Sequence, residues 1–163
     1  MNTQMKSLHT LVNTALATVV LGGFVGVQSA WAANPEQPTI QSLSPSEVAS
    51  GALTPQIDNG IPYVSGGIGI EERAWLAAHG QEFNTHVTFA VVPGGEFIAD
   101  VKVQIVDGRG KTVLDTTANG PQLMVQLPAG NYQLAATHDG QTLQRVFTVS
   151  GKARSTLVLG FKQ

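Results

Sequence analysis

Apolar and polar residues alternate with a period of two along most of the second half of the chain. In HVTFAVV, which starts at His86, the residues Val87, Phe89 and Val91 occupy every second position. Such alternation is typical of a β-strand with one buried face. Five further segments show it, DVKVQIV, QLMVQL, YQLAAT, RVFTV and TLVLGF, and KTVLDTT shows it less clearly. The pattern predicts seven strands, with Tyr132 among the buried residues.

Short runs rich in glycine, proline, asparagine and aspartate separate these segments. They recur at intervals of roughly 9 to 14 residues, as expected for a sandwich of short antiparallel strands. Asp139 and Gly140, between two alternating segments, favour a hairpin turn. No helical crossover interrupts the strands, so a doubly wound parallel sheet is not expected. The predicted fold is mainly β, a seven-stranded antiparallel sandwich preceded by one short helix.

The predicted helix precedes the strands and begins near Glu71. Glu71 and Glu72 lie in its first turn, where the helix macrodipole favours acidic residues. Gly80 is suited to end it. Trp75 belongs to its modest apolar face and is expected to pack onto the domain that follows.

Residues 33–60 are rich in proline, serine, glutamine and glycine and lack a sustained apolar period. Such a composition buries too little apolar surface to offset chain entropy, so we predict a flexible lead-in. A short helix over residues 45–52, with Ser44 as its N-cap, fits within it. The sandwich domain with its helix is predicted to span residues 61–163.

The N-terminus has the features of an export signal. Lys6 precedes an apolar run over residues 15–27, and Ala30 and Ala32 supply small residues at the −3 and −1 positions of a cleavage site after Ala32. Residues 1–32 are therefore predicted to be a signal peptide, with a retained N-terminal anchor as the alternative. The apolar run is short and interrupted by glycine, so no membrane span is expected after signal removal.

Charge and cysteine content narrow the class of protein further. The chain carries nine basic and eleven acidic residues, and loss of Lys6 with the signal peptide leaves a net charge of −3. We see no basic cluster, which argues against nucleic acid or anionic membranes as partners. Cysteine is absent, so no disulfide supports the fold. These features favour a soluble exported protein, most simply a periplasmic one.

The segment from residue 101 to 149 has a recognisable order of strands and turns. It includes a D-x-x-G-K turn, the motif L-P-A-G-N-Y that ends at Tyr132, and a D-G-Q turn, and S-G-G-I-G precedes the helix upstream. In these motifs the chain resembles small exported bacterial proteins with a carboxypeptidase regulatory-like domain, which is a transthyretin-like sandwich. The resemblance covers about residues 62–161. It implies a fold and an exported location, and it implies no activity.

Glycines before a helix can bind phosphate through free backbone N–H groups. Here Glu71 and Glu72 place two negative charges where a phosphate would lie, and no lysine follows. We therefore interpret residues 65–69 as a joint that lets neighbouring segments approach closely.

Hypotheses of zinc binding, hydrolysis and nucleophilic catalysis also lack support. His79 and Glu82 match the H-x-x-E spacing that begins the zinc site of metallocarboxypeptidases, but they lie across a helix end, and His138 has no supporting motif. The hydroxyisourate hydrolases of the transthyretin-like fold carry a Y-R-G-S tail, whereas this chain ends in LVLGFKQ. No G-x-S-x-G nucleophile motif occurs. Four aspartates, Asp100, Asp107, Asp115 and Asp139, are interpreted as residues of turns and strand ends.

The sequence therefore predicts a non-catalytic exported module that acts through protein or envelope contacts. No catalytic, cofactor-binding or metal-binding residue is predicted, and no cofactor. The alternative is a periplasmic module that binds carbohydrate or metal, with candidate lining residues Trp75, Tyr63, His79, Glu82 and His86.

Overall fold

The computed structural model describes residues 43–151 and 153–162. The predicted signal peptide and the start of the lead-in lie outside this part of the chain, so both stay predictions, as do the domain boundaries. The described residues contain two helices, α1 (Pro45–Ser50) and α2 (Ile70–His79), and one turn of 3₁₀ helix over Gly80–Glu82. No helix in the described part is both long and apolar enough to cross a bilayer.

The described part of the chain contains nine strands, where seven were predicted. All seven predicted strands are present, and the two additional ones, β1 and β2, precede helix α2. The strands are β1 (Gln56–Asp58), β2 (Ile61–Gly66), β3 (Thr85–Val92), β4 (Val101–Asp107), β5 (Thr112–Ala118), β6 (Gln122–Val125), β7 (Gly130–His138), β8 (Gln141–Val149) and β9 (Ser155–Lys162).

Strand β2 was missed because it is covered on both faces. Tyr63 points into the space between the sheets, whereas its neighbour Val64 lies under helix α2, and both are buried. A strand buried on both faces shows no alternation of apolar and polar residues. Strand β1 has only three residues, too few for a periodic signal.

The strands form two sheets, sheet A in the order β1-β2-β6-β3-β9 and sheet B in the order β5-β4-β7-β8. All but one of the pairings are antiparallel. The exception is β9, which runs parallel to β3 over eight residue pairs from Thr85↔Ser155 to Val92↔Lys162. The expectation of a wholly antiparallel sandwich was therefore wrong. The chain leaves sheet B after β8 and returns to sheet A, and this crossing sets the direction of β9.

The main core lies between the two sheets and is built from the residues that the alternation placed inward. On β4 these are Val101, Val103 and Ile105, each at most 1% exposed. On β5, Leu114 is fully buried and Val113 only partly. Tyr132 is buried as predicted, and its hydroxyl donates to the Pro128 carbonyl oxygen at 2.8 Å.

A second apolar cluster joins helix α2 to the outer face of sheet A. Trp75 and Leu76 of α2 pack with Val64 and Met124 of the sheet, and Phe83 closes the cluster. Trp75 is thus the packing residue that the sequence predicted. The result is a layer of helix upon a two-sheet sandwich.

Part of the predicted lead-in is helical in the structure. Helix α1 begins after Ser44, whose side chain and that of Glu47 form a reciprocal capping box. It packs against α2, and Val48 and Leu53 extend the second cluster. Helix α1 lies within the short helix predicted over residues 45–52 with Ser44 as its N-cap, and the flexibility of residues 33–60 stays a prediction.

The β7–β8 hairpin turns where predicted. Asp139 and Gly140 both have positive φ, 46° and 76°, as a two-residue hairpin turn requires. Asp100 also has positive φ, and Asp107 lies at the end of β4. Asp115, by contrast, lies in the middle of β5 and not at a strand end. An exposed position on an edge strand accommodates it.

Candidate functional site

The glycine segment before α2 is closed by its own side chains. The backbone N–H groups of Gly67 and Ile68 donate to one carboxylate oxygen of Glu72, at 2.8 and 3.1 Å. The guanidinium of Arg73 donates to the carbonyl oxygens of the same two residues, at 3.3 and 2.8 Å. Glu72 therefore occupies the anion position, as the sequence indicated for this pair of glutamates.

The same segment makes the close approaches expected of a glycine joint. A Cβ on Gly120 would overlap the backbone of Gly66, so these two glycines let the end of β2 and the β5–β6 turn touch. A Cβ on Gly66 would lie 2.6 Å from the side chain of Leu53. The glycines are needed for packing between neighbouring segments.

The histidines of the H-x-x-E region are used within the fold. The ring of His79 stacks on Trp75 with centroids 4.2 Å apart, and its Nδ1 lies 2.9 Å from the Trp75 carbonyl oxygen, to which it donates. The Nε2 of His86 likewise donates to the Gly80 carbonyl oxygen at 2.9 Å. Burial holds the pKa of His86 below its usual value, which the Gly80 contact partly opposes. His86 is thus favoured in its neutral form.

The five residues proposed as an alternative ligand lining do not form one open site, although Trp75 and His79 stack on each other. Tyr63 belongs to the main core, 8% exposed, and Trp75 belongs to the cluster under α2, 9% exposed. Neither offers an exposed ring for stacking on a sugar. Among residues 43–151 and 153–162, no group of three histidine, aspartate or glutamate side chains is placed to hold a metal ion. The carbohydrate or metal hypothesis is therefore not favoured.

A cleft that the sequence did not indicate lies at one end of the sandwich. It has a volume of about 370 Å³, and Val91, Ile98, His138, Asp139, Gln141, Phe161 and Lys162 line it. The ring of His138 meets the ring of Phe161 edge to face at 5.7 Å, and its Nε2 lies 3.4 Å from a carboxylate oxygen of Asp139. Because β9 runs parallel to β3, Phe161 lies beside the β7–β8 hairpin that carries His138. No local sequence pattern predicts such a long-range pairing.

The two lateral sides of the sandwich differ in how their strand edges are treated. On the side formed by β1 and β5, here called the closed side, side chains of one sheet bind the backbone edge of the other. Asp58 accepts from the Asp115 N–H at 2.8 Å, and Ser65 accepts from the Asn119 N–H at 2.7 Å. The hydroxyls of Tyr63 and Thr116 also meet across this side at 3.0 Å.

The side formed by β8 and β9, here called the open side, is bridged only near its ends. The Ser155 hydroxyl donates to the Thr148 carbonyl oxygen, and the Lys162 N–H donates to the Gln141 side chain, both at 3.0 Å. Between these points each strand pairs with one neighbour only. Val146 on β8 and Val158 on β9 are exposed, by 78% and 64%.

The open side also carries a concentration of positive charge. Residues 141–163 contain four basic residues and no acidic one, whereas residues 1–140 contain five basic and eleven acidic residues. These four residues are spread over 23 positions and form no compact cluster in the sequence, but they give the segment a net charge of +4. The signal was present in the sequence, but a net charge summed over the whole chain hides it.

Comparisons with known proteins give a partial family match. Residues 86–159, from β3 into β9, match the model of a family described as the Rhizobiales growth-associated tandem repeat domain. This is not the carboxypeptidase regulatory-like family that the motifs suggested. Turns such as L-P-A-G-N-Y end strands in several sandwich families, because the proline presets a bend and the tyrosine anchors the next strand. No curated protein matches the chain.

Two solved structures are similar to parts of the chain. The crystal structure of S.CueP is 14% identical with a TM-score of 0.36, and the match covers 45% of this chain and 59% of that one. The 5-hydroxyisourate hydrolase of Klebsiella pneumoniae is 20% identical with a TM-score of 0.33, over 48% of this chain and 82% of that one. The chain thus spans 59% of the length of the first. The mainly β, two-sheet architecture follows from the strand pairings themselves.

Proposed function

We propose that this chain is a non-catalytic, exported β-sandwich module that acts by binding a protein or another component of the cell envelope. The observation that carries the proposal is the contrast between its polar side chains and its strand edges. Four polar groups considered for chemistry, Glu72, His79, His86 and Asp107, are engaged within the fold, whereas Glu82 is exposed. The backbone edges of β8 and β9, by contrast, are open along their middle.

The chemical groups support this proposal one by one. Glu72 closes the glycine loop, and His79 and His86 each bind a backbone carbonyl oxygen. Asp107 accepts from the N–H groups of Arg109 and Lys111, at 2.9 and 3.0 Å, and thereby shapes the β4–β5 turn. These contacts lower the pKa of its exposed carboxyl. Each group has a structural role that explains its presence.

The proposed location is the periplasm, after removal of residues 1–32. The support is the arrangement of Lys6, the apolar run and the small residues Ala30 and Ala32. N-terminal sequencing of the protein recovered from a periplasmic fraction tests this. The expected mature N-terminus is Ala33, and recovery of the full-length chain in the membrane fraction would favour the retained anchor.

The matched family is described as a growth-associated tandem repeat. A repeated domain is suited to binding, because linked copies raise the effective concentration of each contact. The matched residues include both strands of the open side. On this proposal the chain is a transthyretin-like sandwich module that binds its partner through an exposed surface.

Turnover assays with peptide, ester and glycoside substrates test the non-catalytic part of the proposal. We expect no turnover above that of buffer. Reproducible turnover that one point substitution abolishes, without loss of the folded state, would overturn it. The charge-neutral variant His138→Gln in the end cleft is the first substitution to examine, because that cleft brings a histidine, a carboxylate and a lysine near one another.

A further inference from the structure

We propose that the free edge of β9 binds an extended, acidic polypeptide segment of a partner, which adds to sheet A as a further strand beneath the middle of β8. This inference rests on the proposed function and names the surface and the chemistry of the partner. Four observations carry it: the unpaired edge, the exposed Arg145 on the inner face of β8, the local charge and the exposed valine beside the edge.

The edge of β9 offers a row of backbone groups. The N–H of Ser155 points toward β3, where it donates to the Asn84 carbonyl oxygen, and the N–H of Lys162 points away from it. Because successive residues of a strand alternate in direction, the groups of Thr156, Val158 and Gly160 point outward with that of Lys162. In the described part of the chain these three residues have no backbone partner on that side. An extended peptide is the ligand that satisfies such a row.

Strand β8 of sheet B lies beside this edge, because Ser155 and Lys162 of β9 bond to Thr148 and Gln141 of β8. Phe147 and Val149 of β8 point inward and are buried, and Arg145 lies on the same inner face, opposite the buried Leu134. Arg145 is nevertheless exposed, and its guanidinium donates to the Gln144 carbonyl oxygen at 3.0 Å. Its side chain is exposed because sheet A has no strand beyond β9 in the described residues. One added strand would occupy that place.

The charge around this place selects an acidic segment. Arg154 precedes β9, Lys162 ends it and Arg145 lies on β8. None of the three forms an ion pair within residues 43–151 and 153–162, and the one acidic side chain in the cleft beside Lys162 is Asp139. An acidic side chain on the inner face of an added strand would meet Arg145 as that strand covers it. The opposite face of the added strand would lie beside Val158, which favours an apolar residue there.

The edge of β8 is less suited to the same role. Two of its outward carbonyl oxygens, those of Gln144 and Thr148, already accept from Arg145 and Ser155. An inward-pointing charge is also a common means of protecting an edge strand from pairing. The geometry therefore favours β9 as the strand that pairs with the partner segment. Arg145 of β8 is then the group that binds an acidic side chain of that segment.

The test uses the chain without its first 32 residues and defined peptides of about eight residues. The first peptide alternates glutamate and valine, the second replaces glutamate with lysine, and the third carries proline at its centre. We expect the first to bind at least about tenfold more tightly than the second, with an affinity that falls as salt increases. The third should not bind, because proline removes backbone donors. Fluorescence anisotropy measures the affinities, and NMR should show exchange protection at the amides of Thr156, Val158 and Gly160.

Two pairs of variants locate the binding. Arg145→Glu should weaken binding of the acidic peptide about tenfold, whereas the matched change Arg109→Glu, at the exposed β4–β5 turn, should leave it unchanged. Val158→Pro removes one outward N–H and should abolish binding, whereas Val158→Ile keeps both that donor and an apolar side chain and should bind as the unmodified chain does. Circular dichroism verifies that each variant is folded, and an unfolded Val158→Pro leaves the decision to the Arg145 pair.

Several outcomes would overturn the inference. They are equal affinity for the acidic and basic peptides, an unchanged affinity of Arg145→Glu, protection of amides elsewhere than β9, and no binding of any peptide. Binding of phosphatidylglycerol vesicles or single-stranded DNA without peptide binding would assign the basic side to another class of partner. In each case the proposed function stands unless the turnover assays are positive, so the two failures are distinguishable.

Discussion

The closed and open sides of this sandwich show two treatments of the same physical problem. A strand at the edge of a sheet exposes unpaired backbone groups that can pair with another chain. On the closed side, Asp58 and Ser65 bind the backbone of β5 at Asp115 and Asn119. On the open side, β8 and β9 are bridged only near their ends. The difference indicates that one side is used to complete the fold and the other is left available.

The two sides also differ in what holds them. The closed side depends on close backbone approach and on hydrogen bonds, whereas the strands of the open side are anchored by buried aromatic rings. Tyr132 on β7 and Phe147 on β8 lie with ring centroids 5.7 Å apart. Four substitutions test this comparison.

Tyr132→Ala should give the largest effect. It removes from the core a buried ring that packs against Phe147 of β8. We expect a loss of about 3–5 kcal/mol in the free energy of unfolding, measured by urea denaturation. Tyr132→Phe, which removes only the hydrogen bond to the Pro128 carbonyl oxygen, should lose about 1 kcal/mol. A loss below ~1 kcal/mol for Tyr132→Ala would mean that the register of β7 differs from the one described.

Gly120→Ala tests the close approach on the closed side. Its Cβ would overlap the backbone of Gly66, so we expect a loss of about 3 kcal/mol in the free energy of unfolding. The control is Gly108→Ala, whose Cβ would lie 3.6 Å from the nearest atom, the carbonyl oxygen of Asn131. That variant should change stability by less than about 1 kcal/mol. Similar losses for both would show that the approach of Gly120 to Gly66 is not limiting.

Tyr63→Phe tests the hydrogen bonds of the closed side. The Tyr63 hydroxyl donates to the Gln56 side chain at 2.7 Å and accepts from the Thr116 hydroxyl at 3.0 Å. Removing it should lower the free energy of unfolding by about 1–2 kcal/mol. A double-mutant cycle with Thr116→Val gives the coupling across this side, and a coupling near zero would contradict the assignment.

Acid should destabilise the region where the helical layer meets sheet A. Burial lowers the pKa of His86, and the charge of Arg154 adds to this. Because the folded state disfavours the protonated ring, the stabilising contribution of neutral His86 is present above a pH of about 6.5 and is lost as pH falls below it. We expect this to be the smallest of the four effects.

Urea midpoints measured between pH 7 and pH 5 test this expectation. The midpoint should fall less steeply with pH in His86→Gln than in the unmodified chain. An equal slope in both would show that other groups account for the acid sensitivity.

The sequence was sufficient wherever a strand has one buried face. On β3, β4 and β7 the alternation identified the inward residues, because a period of two repeats the geometry of the strand itself. Turn residues such as Asp139 and Gly140 also follow from local backbone preference. The helix α2 and its anchor Trp75 were predicted for the same local reason.

The sequence did not predict which strands pair when they lie far apart in the chain. Strand β2 is buried on both faces, so its sequence has no alternation. The parallel pairing of β9 with β3 joins segments far apart in the chain, and the end cleft at His138 and Phe161 exists only because of that pairing. The matched family differs from the expected one because the motif L-P-A-G-N-Y indicates only a bend followed by a buried tyrosine at the start of a strand. Many sandwich families contain such a turn.

By itself the sequence determined seven of the nine described strands, their inward faces, the turns and the segregation of charge into residues 141–163, because each depends on near neighbours along the chain. The tertiary structure alone decided which edges are closed and which are open. An edge is defined by the absence of a neighbouring strand, and that depends on the order in which distant segments assemble. Arg145 shows the difference most directly: its sequence position makes it an inward residue of β8, and it is exposed where sheet A has no strand beyond β9 in the described residues.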